Sequence, residues 1–447
     1  MKKIASVISS LLFLHIVSST LSAQLQTIYD KDLRSRTEEG KKSYKVPNSG
    51  YDMYSSVVYI DPSKSVNGSG TIDDPLNTWP SDLKAKTAYL QKRGTIYEND
   101  IEEQSGNYIL VGAYGSGPRP RFTGDVILTG EGAVVREINI SDGLLKIGKW
   151  PYTDVENCWV YDCEIKAITV FTSETKIIGN VIHNSGTDGI WTSGSTFGNY
   201  NRNIEIAYNH IYNVNMRWYP GATEKEAPGD GIQAEASGFI HIHHNIIDRS
   251  STGSKFCIIV GHQDAAPLDA LIEDNVMYSP LKTENGGAFI YLKDNVNAVI
   301  RNNKFIDMEN DGLISIFAYI PSEIYGNLMV GVRRDFPPKS KAYNNTCVNV
   351  AKPNAHVELL ENNILTRETS GTKGNNMYID KAGLKNLFVD PDNGDFRLKE
   401  GSPAIGAGKK VGNWTKDMHG VKVKDQNVDM GAFVYTKNIE DNDDPTP

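Results

Sequence analysis

The stretch "HIHHNIIDRSSTGSKFCIIVG", residues 241–261, sets alternating apolar residues on either side of a central asparagine. Its first seven residues recur along the chain as "KIIGNVI", "EIAYNHI", "LIEDNVM", "VIRNNKF", "EIYGNLM", "KAYNNTC" and "LLENNIL". The central asparagines are Asn180, Asn209, Asn245, Asn275, Asn303, Asn327, Asn345 and Asn363. Upstream, "WVYDCEI" and "VVREINI" read as earlier copies, with Cys163 and Ile138 in the Asn position. From Asn180 onward the gaps are 29, 36, 30, 28, 24, 18 and 18 residues, so a constant core carries loops of variable length. Apolar residues at every second position predict short strands with one buried face. Asn is expected at the bend itself, because it tolerates left-handed backbone angles. A further strand in each coil is expected at "DGIWT", "DGIQAEA", "KFCIIVG", "GAFIYLK" and "DGLISIF". Coils of this kind stack like on like, so the asparagines should form a hydrogen-bonded ladder. A sandwich of antiparallel hairpins gives no reason for Asn to recur at one position. The reading is all-β: a single-domain parallel β-helix, a solenoid with an Asn ladder.

The rest of the chain fits an exported solenoid. Lys2 and Lys3 precede a mostly apolar run from Ile4 to Val17, and small residues follow in "SSTLSAQ". This is the pattern of a signal peptide, cleaved near Ala23. The apolar run is too short for a membrane span. The expected organisation is a signal peptide at 1–23, a polar lead-in at 24–54, the β-helix at 55–435 and an acidic disordered tail at 436–447. The protein is therefore expected to be secreted or periplasmic, without a membrane span, and to be a monomer. A net charge of −9 argues against a nucleic-acid partner but leaves room for a local basic groove. Cys158, Cys163, Cys257 and Cys347 show no CxxC spacing. Most of them sit in apolar runs, as small buried hydrophobes do.

Chemistry concentrates around the longest gap, between Asn209 and Asn245. Its extra residues are "NMRWYPGATEKEAPGD", which hold Arg217, Trp218 and Tyr219 ahead of a Pro220–Gly221 turn. Long insertions on a solenoid project from one face and often carry function. The next coil adds His241, His243, His244, Arg249, Lys255, His262 and Gln263. In a strand His241 and His243 share a face and His244 points the other way, and two histidines without a third ligand are a weak metal signal. Asp188, Asp230, Glu235, Asp248 and Asp264 are acidic enough for calcium, but sequence cannot show that they converge. Asp188 and Asp230 both precede Gly-Ile at a strand start, which suggests that they cap backbone amides. No cofactor is required by this reading, no metal ligands are assigned, and calcium is left open.

Uronic-acid polymers are cleaved by β-elimination. A base takes the proton at C5, beside the carboxylate, and an acid protonates the departing O4. A lysine serves as the base if burial or neighbouring cations lower its pKa, and a tyrosine suits the acid. Arg, His or amide donors must neutralise the substrate carboxylate.

The loop ending in Tyr219, the strand opening "DGIQ" and the segment "STGSK" together resemble alginate lyases, closest to polysaccharide lyase family 31. The segments "VVYIDPSKSVNGSGTIDDPLNTW" and "FVDPDNGDFRLKEGSPAIGAG" also resemble the opening and closing parts of exported bacterial β-helix proteins. The resemblance implies a right-handed helix, capped ends and an acidic polysaccharide, alginate, as substrate. It also implies a catalytic pair of Lys255 as base and Tyr219 as acid, 36 residues apart. Substrate contacts are assigned to Arg217, Gln233, His244, Arg249, His262, Gln263 and Arg301. In a calcium-dependent family that includes chondroitin lyases two acidic ligands precede the lysine, and "DRSSTGSK" offers only Asp248. The aspartate cluster of β-helix pectate lyases cannot be assembled here either. A uronan C5-epimerase shares the proton abstraction, and a surface-binding or adhesion β-helix would bind polysaccharide without turnover.

Overall fold

In the computed structural model the described residues run from 53 to 437, apart from 104–105, 149–158, 162–163, 166, 172, 193–202, 215–228, 236–237, 250–255, 262–267, 281–286, 309–312, 353–355 and 368–373. Three long sheets, of 13, 13 and 9 strands, run along the molecule, and each follows chain order or its reverse. Every pairing within them is parallel. One coil shows the plan. Gly238–His243 lies in sheet one, Ile246–Asp248 in sheet two and Phe256–Val260 in sheet three, and Leu268–Glu273 then returns to sheet one beside Gly238–His243. The chain is a parallel β-helix, as the repeat predicts.

The repeated seven-residue unit is the corner between sheets one and two. Its first alternation puts Ile177, Ile206, Ile242, Ile272, Ile300 and Ile324 in successive register, all fully buried. Such a column is what period-two patterning yields once the coils stack. The asparagine ladder is present and runs one rung further than the sequence suggests. Each Asn Oδ1 accepts the backbone N–H and the side-chain Nδ2 of the Asn one coil earlier, from the Asn180–Asn209 step through to the Asn363–Asn376 step. The expected reason for Asn is corrected, however. Positive φ belongs to the residue before each of the eight repeat asparagines: Gly179, Tyr208, His244, Asp274, Asn302, Gly326, Asn344 and Asn362 lie between 51° and 69°. The ladder Asn is selected for its amide, which satisfies buried backbone groups around the corner.

Segments outside the three sheets pack against the first and the last coils. At the N-terminal end Trp79 and Leu83 enter the core beside Tyr89 and Phe122, and the indole N–H of Trp79 donates to Gln91 at 2.7 Å. At the other end the segment from Leu384 to Tyr435 packs along the flank of the last coils. There Trp414 donates to Asn302 Oδ1, and Asn344 and Asn362 donate to the carbonyls of Asp429 and Lys409. Cys257 and Cys347 are free and buried, as small hydrophobes. Cys158 and the side chain of Cys163 lie outside the described residues. The expected signal peptide at 1–23, most of the lead-in and residues 438–447 of the tail lie outside them as well. Among the described residues no helix is long and apolar enough to cross a membrane.

Candidate functional site

The outer face of sheet three carries the candidate site. Inward positions are Ile190, Ile232, Ile258 and Ile290, all fully buried. The outward positions between them stack in register as Lys146, Thr169, Trp191, Gln233, Ile259, Tyr291 and Phe317. Six steps at roughly 4.8 Å give a stripe of about 29 Å, long enough for an extended oligomer. Trp191 meets Phe171 edge-on at 5.6 Å, and Lys146 Nζ sits 5.4 Å from the centre of that same Phe171 ring. Further along, Tyr291 stacks between Phe256, at 4.7 Å, and Phe317, at 5.3 Å. The Tyr291 hydroxyl lies 3.2 Å from that of Tyr319, and burial together with Tyr319 raises the Tyr291 pKa to about 12. Tyr319 and Phe317 remain 61% and 37% exposed, large apolar faces left open to solvent. Gln233 donates to Glu235 at 3.1 Å, and Lys293 Nζ is 3.8 Å from the same carboxylate.

The repeated Asp-Gly pair explains how this face is anchored. Asp188 Oδ1 accepts the backbone N–H of Asp230 at 2.7 Å, and Asp230 Oδ1 accepts that of Phe256 at 3.0 Å. Each aspartate therefore ties its corner to the next coil, the amide-capping role that the sequence suggested. The glycine follows because a Cβ on Gly231 would stand 2.6 Å from the Cys257 carbonyl oxygen of that next coil. No three of Asp188, Asp230, Glu235 and Asp248 converge as metal ligands among the described residues. Asp264 lies outside them.

The predicted site residues separate into three groups. Lys255, Tyr219, Arg217, His262 and Gln263 lie outside the described residues. Phe256, which follows Lys255, opens a sheet-three strand that ends at Val260, just before Gly261 and His262; the stretch with Arg217 and Tyr219 follows a strand of sheet two and precedes the sheet-three strand Ile232–Ala234. Gln233 lies in the outer stripe, one coil earlier. Arg249 is different from what was expected, being buried at 1% exposure. Burial lowers its pKa, against the opposing pull of Cys257, Asp307 and Asp230, so it can act on a ligand only through its charge. His244 and Arg301 are elsewhere. His244 takes the left-handed corner position between sheets one and two and stacks on Tyr208 at 4.7 Å, instead of pointing into the core. Arg301, on the outer face of sheet one, donates to Glu273 at 2.5 Å and to the Tyr325 hydroxyl at 3.1 Å. Neither is brought together with the strand that follows Lys255. Sequence reasoning also missed the aromatic stripe. The period-two signal shows that Trp191, Tyr291 and Phe317 point outward, but not that they line up.

Residues 87–267 match the family model of the right-handed β-helix region, and the fold is a right-handed parallel β-helix. Solved structures similar to the chain include three enzymes. The lacto-N-biosidase of glycoside hydrolase family 136 from Eubacterium ramulus is 14% identical over 73% of this chain and 67% of its own, with a TM-score of 0.43. The pectate lyase Pel9A is 15% identical over 86% of this chain and 97% of its own, with a TM-score of 0.45. An arginine-to-alanine variant of the PL6 family alginate lyase AlyGC is 16% identical over 80% of this chain and 52% of its own, also with a TM-score of 0.45. At these identities the likeness is one of fold. No curated protein sequence matches the chain.

Proposed function

We propose that the protein is a polysaccharide lyase that cleaves a uronic-acid polymer, alginate, by β-elimination. The observation that carries this reading is the outward stripe of sheet three, with its open aromatic faces, running past the strand that directly follows Lys255. Sugar rings present C–H faces that stack on aromatic side chains, and their hydroxyls pair with amides such as Gln233. The resemblance of residues 215–263 to polysaccharide lyase family 31 supplies the chemistry. Lys255, as the free amine, takes the C5 proton. The C5–H electrons form the C4–C5 double bond and the C4–O4 bond breaks. O4 leaves with the proton of the Tyr219 hydroxyl, so no water is consumed. Arg217, His262 and Gln263 neutralise the substrate carboxylate in this scheme, and buried Arg249 adds positive potential from beneath.

The test is turnover of alginate followed by ultraviolet absorbance of the unsaturated product. Lys255→Ala should abolish it, and Tyr219→Phe, which removes only a hydroxyl, should lower kcat at least a hundredfold. Near-wild-type rates in Lys255→Ala would sink the mechanism. A panel of alginate, pectate and chondroitin tests the substrate, and solvent deuterium at C5 without unsaturated product would mean epimerisation instead. Export is part of the proposal. The mature protein recovered from the secreted or periplasmic fraction should begin just after Ala23, which N-terminal sequencing reads directly.

A further inference from the structure

The outer face of sheet one holds a cluster that the lyase reading does not use. Glu205 and His241 are register partners on adjacent coils, and His243 lies two residues on from His241 along the same face. One ligand atom from each of the three lies within 4.8 Å of those of the other two. His243 Nε2 is already 3.1 Å from Glu205 Oε1. A tetrahedral ion with bonds of about 2.1 Å needs ligand atoms roughly 3.4 Å apart, so small side-chain rotations close the site. We propose that Glu205, His241 and His243 bind a divalent transition-metal ion of the zinc class, clamping two successive coils.

The surroundings are those of an oriented metal site. His241 Nε2 lies 2.8 Å from Glu273 Oε1, and Arg301 donates to the other oxygen of that carboxylate. With Nε2–H donating to Glu273, the lone pair of His241 is on Nδ1, in the carboxylate–histidine–metal arrangement. His243 Nδ1 faces His244 Nδ1 at 2.9 Å, which provides an acceptor when His243 Nε2 takes the ion. The second oxygen of Glu205 is held by Lys176 at 2.6 Å, leaving Oε1 turned to the histidines. The strands beneath are fixed by Ile204, Ile206, Ile240 and Ile242 in the core, so little freedom is lost on binding. His243 is almost covered, while His241 keeps 26% side-chain exposure and gives an ion a way in. Two nitrogens and one oxygen suit zinc rather than calcium or magnesium, and the vacant fourth position takes water.

The experiment uses the untagged full chain, stripped with chelator and titrated with Zn2+ by calorimetry, and with Co2+ by visible spectroscopy. Expected are one tight Zn2+ per chain, the intense visible band of tetrahedral Co2+, and a higher unfolding temperature on adding Zn2+. His243→Ala and His241→Ala should each weaken Zn2+ at least a hundredfold and remove the Co2+ band. Glu205→Gln keeps the hydrogen-bond acceptor for His243, and so the local fold, yet should still weaken the ion at least tenfold. His356→Ala, at an exposed histidine outside the cluster, should bind as wild type does. Absence of a stoichiometric site in the wild type, or undiminished binding in Glu205→Gln and His243→Ala, would overturn the proposal.

Discussion

Asn275→Ala removes the middle of the ladder. The side-chain Oδ1 of Asn275 accepts the backbone N–H and the Nδ2 of Asn245, both at 3.0 Å. Its Nδ2 donates to the carbonyls of Ile242 and Glu273 at 2.9 Å and to Asn303 Oδ1 at 3.0 Å. Truncation leaves the fully buried N–H of Asn245 without that acceptor, at a cost of about 1–3 kcal/mol. The Nδ2 of Asn245 keeps the carbonyls of Ile206 and His243, so it loses little. The two hydrogens of Asn275 Nδ2, shared among these three acceptors, are worth about 1 kcal/mol each, for a total of about 4 kcal/mol. Asn275→Asp makes the cause separable. It keeps Oδ1 but turns a second oxygen toward three acceptors, so it should destabilise at least as much as Ala. Asn376 ends the ladder and is only partly buried, where water replaces lost partners, so Asn376→Ala should cost about 1–2 kcal/mol. Urea unfolding followed by intrinsic fluorescence, with the slope held in common, reads all three differences. Asn275→Ala within 1 kcal/mol of wild type, or a well-tolerated Asn275→Asp, would refute the hydrogen-bond account.

Three further outcomes are expected. Phe317→Ala and Trp191→Ala, on the open stripe, should each weaken oligosaccharide binding by about tenfold, or roughly 1.4 kcal/mol, with kcat changed less than KM; unaltered affinity in both would remove the stripe from the binding surface. Burial, with the positive charge of nearby His183 adding to it, lowers the pKa of His210 from 6.5 to about 4. The unfolded chain therefore binds the extra proton first, so this contribution is intact above pH 6.5 and is lost as pH falls toward 4. The loss should be about 2 kcal/mol, allowing for partial exposure, and His210→Gln should flatten that part of the stability–pH curve. Gly231→Ala should destabilise strongly, because its Cβ would meet the Cys257 carbonyl oxygen at 2.6 Å; an unchanged urea midpoint would contradict the close packing of adjacent coils.

Much of the fold was legible because each coil repeats the same local physics. Alternating isoleucines announce an inward face, and one buried amide per corner announces the ladder, whatever the loop lengths between them. The Asp-Gly pairs were legible for the same reason, since an aspartate before a strand can cap only a nearby amide. The amide it caps is in the next coil, at Phe256 for Asp230. The left-handed residue was misplaced by one position, because Asn suits both the angle and the hydrogen bond, and the repeat alone does not say which it serves.

Alternation and the recurring asparagine therefore define the coil: which residues face inward, where it turns, and that coils stack in parallel. Which outward residues become neighbours is set by the stacking of the coils. Inter-coil register depends on loops of variable length, so Glu205 meets His241 and His243 across 36 and 38 residues, a pairing that no local pattern encodes. For the same reason His244 and Arg301, though close in sequence to the predicted site or basic like it, belong to the sheet-one side, whereas Gln233, Tyr291 and Phe317 share one stripe on sheet three. Alternation assigns a side chain to the inside or the outside of a solenoid; stacking assigns it to a site.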